Sequence, residues 1–420
     1  MAHYKPQSAL WNVPRRRWYL AFLFACCMLS NAAQAAPPFL LVVYASGGWD
    51  QTMVFDDKTD AQGVQTQTGL SKGSGGGAIS YQDHADRPAV RTFFTDYGNR
   101  SAIVNGLFIG GMDRYSAQKQ LLSVIPQGKS RAVEWATLYA DSSGFSGELP
   151  YVNFAAPFAP GEYLAKATHL SAATIADYLT VVPSSTDLGA SGEAALKALR
   201  SAAMAKVITK IAANSLDFDK LNALTTGYAN EATIAAQLAT AVKAVGTQGS
   251  SDTFTYQAKL ALKLFHQGAT IAATVQAGRS GAWTTSKANF SLQSAAFQTL
   301  FADLAIILTY AKKLGLSDKL TLVVMSEGGR APRLNEDAGK GPWPYTSMLL
   351  WGATINGGKV VGLTDGNLRG IPIDPIFGGA GKDSSVMLTP ANVWSALYTK
   401  AGFDTGAMIG PTPALAQVIK

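Results

Sequence analysis

Four short runs along the chain lack the polar alternation of a half-exposed strand: 39–44 (FLLVVY), 101–109 (SAIVNGLFI), 269–275 (ATIAATV) and 320–325 (LTLVVM). Successive side chains of a strand point to opposite faces, so runs that are apolar throughout predict strands covered on both sides. Elsewhere the apolar spacing changes to three and four. Leu300, Leu304, Ile307 and Ala311 share one helical face, which predicts a helix over 292–313. A second helix is predicted over 256–267, and a third begins at Thr389-Pro390 and stops at Gly402. Residues 161–245 are alanine-rich, with Leu196, Leu199, Ala203, Val207 and Ile211 at the same spacing, and read as a helical insertion packed on the sheet. Strands alternating with helices predict an α/β fold: a mostly parallel sheet sandwiched by helices, spanning residues 36–420 as one domain. The glycine-rich stretch 69–80 (GLSKGSGGGAIS) reads as a surface loop. It lacks the Gly-Lys-Ser/Thr ending of a phosphate-binding loop.

The 420 residues are 47% apolar and 15% charged, within the globular range, and carry a formal charge of +7. Lys5, Arg15, Arg16 and Arg17 lie in the first 35 residues without any acid, which leaves +3 for the remainder and no case for nucleic acid. After these cations come twelve mostly apolar residues, Trp18 to Leu29, and an Ala33-Gln34-Ala35 cleavage pattern. Residues 1–35 therefore read as an export signal, too short in its apolar part to span a bilayer. The Arg-Arg-Trp-Tyr-Leu segment is similar to a twin-arginine signal, and the Sec route accommodates the same arginines. Either places the protein in the periplasm or outside the cell, with no transmembrane segment expected in the mature chain. Both cysteines, Cys26 and Cys27, fall inside the signal, so the mature chain offers no disulfide and no thiolate ligand.

Ligands of parallel α/β sheets gather beyond the carboxyl ends of the strands. Four polar segments stand there: Asp50 behind Gly47-Gly48-Trp49, 110–118 (GGMDRYSAQ), 276–289 (QAGRSGAWTTSKAN) and 326–337 (SEGGRAPRLNED). Each has a plain structural reading, as a turn, a helix cap or a local ion pair of Glu327 with Arg330. Their recurrence at one sheet edge points to a site. Arg330 and Arg333 suit an anion such as phosphate or sulfate without a metal, and pairing with Glu327, Glu336 or Asp337 explains them as well. His84 lies between Asp83 and Asp86 in a loop-like stretch, and His266 ends a predicted helix. Trp49, Trp283 and Trp343 would suit a carbohydrate if exposed, and packing if not.

The segments 325–333 (MSEGGRAPR) and 357–362 (GGKVVG), with Gly47-Gly48-Trp49-Asp50 and the ending LTPANVWSALYTKAGFD, resemble the exported bacterial family called domain of unknown function 1501. That family is similar in fold to the alkaline phosphatase and sulfatase superfamily, which implies one or two divalent cations at the C-terminal edge of the sheet. The departures bear on those ligands. Where the family has Trp-Asp-Thr-His this chain has Trp283-Thr284-Thr285-Ser286, so a carboxylate and an imidazole are replaced by the hydroxyls of Thr284 and Ser286. Where it has Asp-His before Trp-Pro, this chain has Gly341-Pro342 before Trp343-Pro344. Asp113 and Arg114 align with its Ser-His, and Ser116 is left as the candidate nucleophile. Asp50 and Glu327 are the matched metal ligands that remain, enough for one hard divalent cation with water and too few for a zinc pair.

Two functions follow as expectations. The leading one is an exported binding or envelope scaffold protein whose metal site has degenerated, acting on a ligand not identified by the sequence. The competing one is a phosphatase- or sulfatase-like hydrolase of ester substrates, with Asp50 and Glu327 on one cation, Arg330 on the anion and Ser116 or water as nucleophile.

Overall fold

The computed structural model describes residues 36–58, 63–154, 159–163, 166–170, 231–245 and 254–420. The expected export signal lies outside the described residues, as does most of the expected insertion, including Leu196 to Ile211. The described strands and helices lie within one compact unit, Pro38–Lys420.

Eight strands form its central sheet: β1 Phe39–Tyr44, β2 Ser101–Phe108, β3 Tyr151–Asn153, β4 Ala167–His169, β5 Ala272–Gln276, β6 Leu320–Met325, β7 Tyr345–Gly352 and β8 Lys359–Val361. Their order is β8-β2-β7-β6-β1-β5-β3-β4. β1 pairs in parallel with β6 on one side and β5 on the other, and β7 runs antiparallel between β6 and β2. The α/β expectation with a mostly parallel sheet is therefore met, with one antiparallel strand in its middle.

Helices cover both faces: α1 Pro88–Tyr97, α2 Arg114–Leu122, α3 Trp135–Ser142, α4 Glu231–Val245, α5 Phe254–His266, α6 Asn289–Lys313 and α7 Pro390–Lys400. Alternation along β1 assigns the two cores. Leu41 and Val43 join Phe93 of α1, Leu262 of α5 and Phe297, Leu304 and Ile307 of α6 on one face. Leu40, Val42 and Tyr44 join Leu121 of α2, Tyr139 of α3 and Trp394 of α7 on the other. Each such buried side chain contributes about 1.5–3 kcal/mol of transfer free energy, so these stripes decide which helix faces turn inward. α6 is long and apolar enough to cross a membrane by length and composition, and 44% of its most apolar window is buried. That buried stripe is the one that packs on the sheet.

The start of α7 follows the sequence closely. Asn392 Oδ1 accepts from both Thr389 N at 2.8 Å and Thr389 Oγ1 at 2.9 Å, which secures the first turn. The glycine-rich stretch differs from expectation. It is a hairpin, with Ser71–Ser74 antiparallel to Ser80–Asp83, rather than an open loop. Gly75 sits in its turn because a Cβ there would lie 2.4 Å from the Phe94 carbonyl oxygen.

Candidate functional site

β1 ends at Tyr44, and the chain then turns through Ser46-Gly47-Gly48 toward Asp50. Gly47 has φ +127°, and a Cβ on it would stand 2.5 Å from Thr284 N. Gly47 thus lets the backbone of the β1 loop lie directly against the backbone of residues 283–284, a closeness no other residue allows. Gly339 makes a similar approach, its missing Cβ falling on the Ser286 carbonyl. Three loops from three strand ends are therefore interlocked through main chain.

Asp50 sits at the centre, with no solvent exposure. Its Oδ1 accepts from Thr52 N at 3.2 Å and Thr52 Oγ1 at 2.7 Å, capping the single 3-10 turn Gln51–Met53. Its Oδ2 accepts from Asn289 Nδ2 at 2.7 Å and faces Lys340 Nζ at 2.8 Å. Lys340 is itself fully buried. Its Nζ lies outside hydrogen-bonding direction, so the contact with Asp50 is a coulombic pair, and the ring of Phe290 stands 5.3 Å away. Gln293 completes the surround: its Oε1 accepts from Asp50 N, and its Nε2 donates to Trp283 O and Thr285 Oγ1. Thr285 Oγ1 in turn donates to Asn289 Oδ1 at 2.5 Å.

Glu327, just beyond β6, occupies the neighbouring position. Its Oε1 accepts from Gly47 N at 2.7 Å and Ser46 Oγ at 3.3 Å, and Arg114 Nε lies 3.5 Å away. Its Oε2 is buried and makes no hydrogen bond. Burial holds the Tyr44 phenol well above its ordinary pKa, and the charge of Glu327 pushes it further the same way. Tyr44 is consequently a neutral hydroxyl, fixed by Gln118 Nε2 at 2.6 Å.

The structure brings Asp50, Glu327 and Arg330 to one sheet edge, and Ser116 lines a cavity that none of the three borders. Arg330 is buried and donates to four backbone carbonyls, those of Gly48 at 2.8 Å, Trp283 at 2.9 Å, Lys340 at 3.3 Å and Gly47. Burial lowers its guanidinium to about 10 against the opposing pull of Asp50 and Glu327. Four of its N–H groups hold the three loops together, in place of the carboxylate pairing or anion contact expected from sequence. Arg333 is exposed. Ser116, on α2, lines a separate cavity of about 700 Å³ with Phe108, Tyr115, Lys119 and Trp135.

One further expectation needs correction, and the readings left open for the tryptophans and histidines are decided. Thr284 and Ser286 face solvent, and it is the intervening Thr285 that turns inward. Trp49 and Trp283 are buried against Phe297, and Trp343 is half-buried with Nε1 donating to Leu368 O. These tryptophans are packing residues. His84 is engaged by Thr68 O at 3.0 Å and by Asp86 N at 3.1 Å. His266 contacts Leu314 O at 3.1 Å. Both histidines fasten loops. The sequence pattern gave no sign of Lys340, Asn289 and Gln293, which surround Asp50. Lys340 and Asn289 do lie within or beside the polar segments at the strand ends, but nothing local marks them as buried.

A divalent cation beside Asp50 would require several oxygen or imidazole ligands converging on one point. Among the described residues no three His, Cys, Asp or Glu side chains are grouped so that they could hold a metal ion. More decisive is what does converge: Oδ1 is filled by Thr52, and Oδ2 is filled by an amide and an ammonium. This donor set suits an internal cation and does not fit a metal ion.

No curated protein matches the chain. Among solved structures it is similar to the lipoteichoic acid synthase LtaP from Listeria monocytogenes, at 9% identity and a TM-score of 0.43 over 93% of this chain and 79% of that one. It is similar also to the phosphonate monoester hydrolase of Agrobacterium radiobacter, at 11% identity and a TM-score of 0.38 over 87% and 74%. A third likeness is to the 2-O GAG sulfatase BT1596, at 10% identity and a TM-score of 0.36 over 91% and 73%. Residues 151–407 match the family model of a protein of unknown function, DUF1501. With more than half of its length matched, the chain belongs to that family.

Proposed function

We propose that this is an exported protein that resembles the alkaline phosphatase superfamily but has a degenerate metal site, and that it acts as a non-catalytic binding or envelope scaffold protein. One observation carries the reading. Asp50, the carboxylate best placed for a cation, is already neutralised by Lys340 at 2.8 Å, with both side chains fully buried. Hydrolysis by a metal-activated nucleophile needs a cation with an open coordination position, and a carboxylate sealed by an ammonium offers none. The interlocked loops point the same way, since Arg330 is committed to main-chain carbonyls and is not free to hold a phosphate or sulfate. The N-terminal basic-apolar-small pattern supports export.

A second reading, the one-cation ester hydrolase, draws on Glu327, whose buried Oε2 has no hydrogen bond. The test is an aryl phosphate and aryl sulfate assay with added Mg²⁺, Ca²⁺, Mn²⁺ or Zn²⁺, comparing the native chain with Asp50→Ala. Equal background rates are expected. Turnover by the native chain that disappears in Asp50→Ala would establish the hydrolase instead.

A further inference from the structure

Lys340 is aimed at Asp50 by its backbone as well as by charge. Its N–H donates to Thr285 O at 3.0 Å and its carbonyl accepts from Arg330 Nη1 at 3.3 Å, so both sides of the residue are pinned to other loops. Gly339 before it fits only without a side chain, and Ala331 N donates to the carbonyl of Gly341 after it. The lysine stem therefore has one direction available, into the centre of the three loops. There it meets a carboxylate whose other contacts are the donors Thr52 and Asn289. A buried carboxylate is costly unless a cation accompanies it, and Lys340 is the cation in contact with it.

Resting on the reading of the Asp50 site given above, we propose that Lys340 is a resident counter-cation. Its ammonium fills the position that a divalent ion would need beside Asp50 and makes the packing of this sheet edge independent of metal. The converse follows from the same geometry. Truncating Lys340 leaves the buried Asp50 carboxylate without its cation, its Oδ2 still accepting from Asn289 Nδ2. The space vacated by the stem then admits water and a largely hydrated divalent cation of the Mg²⁺ or Ca²⁺ class on that one carboxylate.

Thermal unfolding of the full chain distinguishes the outcomes. The native protein, Lys340→Ala and the double variant Asp50→Asn/Lys340→Met are melted with chelator and with millimolar Mg²⁺ or Ca²⁺. Lys340→Ala is expected to melt roughly 5 °C lower in chelator, the usual scale for stranding a buried charge. It should regain at least half of that loss with metal, while the double variant melts near the native protein and ignores metal. A Lys340→Ala variant that keeps the native Tm in chelator, or that metal does not rescue, overturns the proposal. If that variant does not fold, the double variant decides: folded and metal-indifferent supports the counter-cation, unfolded overturns it. Metal-dependent ester turnover by the native chain would defeat the functional reading alone, and the melting of Lys340→Ala would still decide the counter-cation by itself.

Discussion

Arg114 Nε stands 3.5 Å from Glu327 Oε1 and, through Nη2, donates to Ser46 Oγ and Ser280 Oγ at 2.7 Å each. The first residue of α2 thus closes over a carboxylate from the end of β6. Arg114 is half exposed, its side chain retaining 47% of its accessible surface, so solvent screens the pair. Arg114→Ala is expected to cost about 1 kcal/mol or less in urea unfolding, and less at high salt. Arg114→Lys should not restore it, because a point charge does not reproduce a fork that reaches two hydroxyls at once.

Gly47 is required on two counts, its positive φ and the 2.5 Å approach to Thr284 N. Gly47→Ala should therefore cost about 2–4 kcal/mol, the range for a strained backbone combined with overpacking. Gly315, also at positive φ but with nothing within 4 Å of its missing Cβ, makes the control. Gly315→Ala should cost about 1–2 kcal/mol, as backbone strain without a clash. Equal losses at the two positions, read by urea unfolding, would contradict the interlocked-loop account.

Glu134, at the start of α3, supplies a pH dependence. Burial raises its carboxyl to about 7, against the opposing effect of Asn153, whose Nδ2 donates to Oε1 at 2.9 Å. The folded pKa lies above the unfolded one, so the native state holds more protons between about pH 4.5 and 7 and loses stability as pH rises through that window. Asp56, also raised by burial, acts with the same sign. Glu134→Gln should flatten this fall and leave the protein more stable at pH 8 by about 2–3 kcal/mol. Urea midpoints at pH 5 and pH 8 for the two chains measure it.

How much of this was legible in the sequence differs by element. β1 and β6 coincide with their apolar runs because both are buried on two faces by their neighbours. β7 escaped notice. It opens on Tyr345-Thr346-Ser347, where two hydroxyls find distant partners: Thr346 Oγ1 accepts from Trp49 Nε1, and Ser347 Oγ donates to Asn105 Oδ1. No local pattern announces such partners. At the site, the glycines before Asp50 read as a turn, and the close approach of Gly47 to Thr284 comes from the tertiary arrangement. Lys340 did not stand out, because a lysine between two glycines reads as solvent-exposed. Its burial is decided by the loops that carry Asp50 and Thr285, both distant along the chain, and only the tertiary arrangement brings them together.

The central claim is that Asp50 has its cation built in. Divalent metal content of the purified native chain, measured by mass spectrometry after dialysis against metal-buffered solution, tests it most directly. Substoichiometric metal, unchanged in Asp50→Asn, is the predicted result. An equivalent or more of metal per chain that Asp50→Asn abolishes would contradict it.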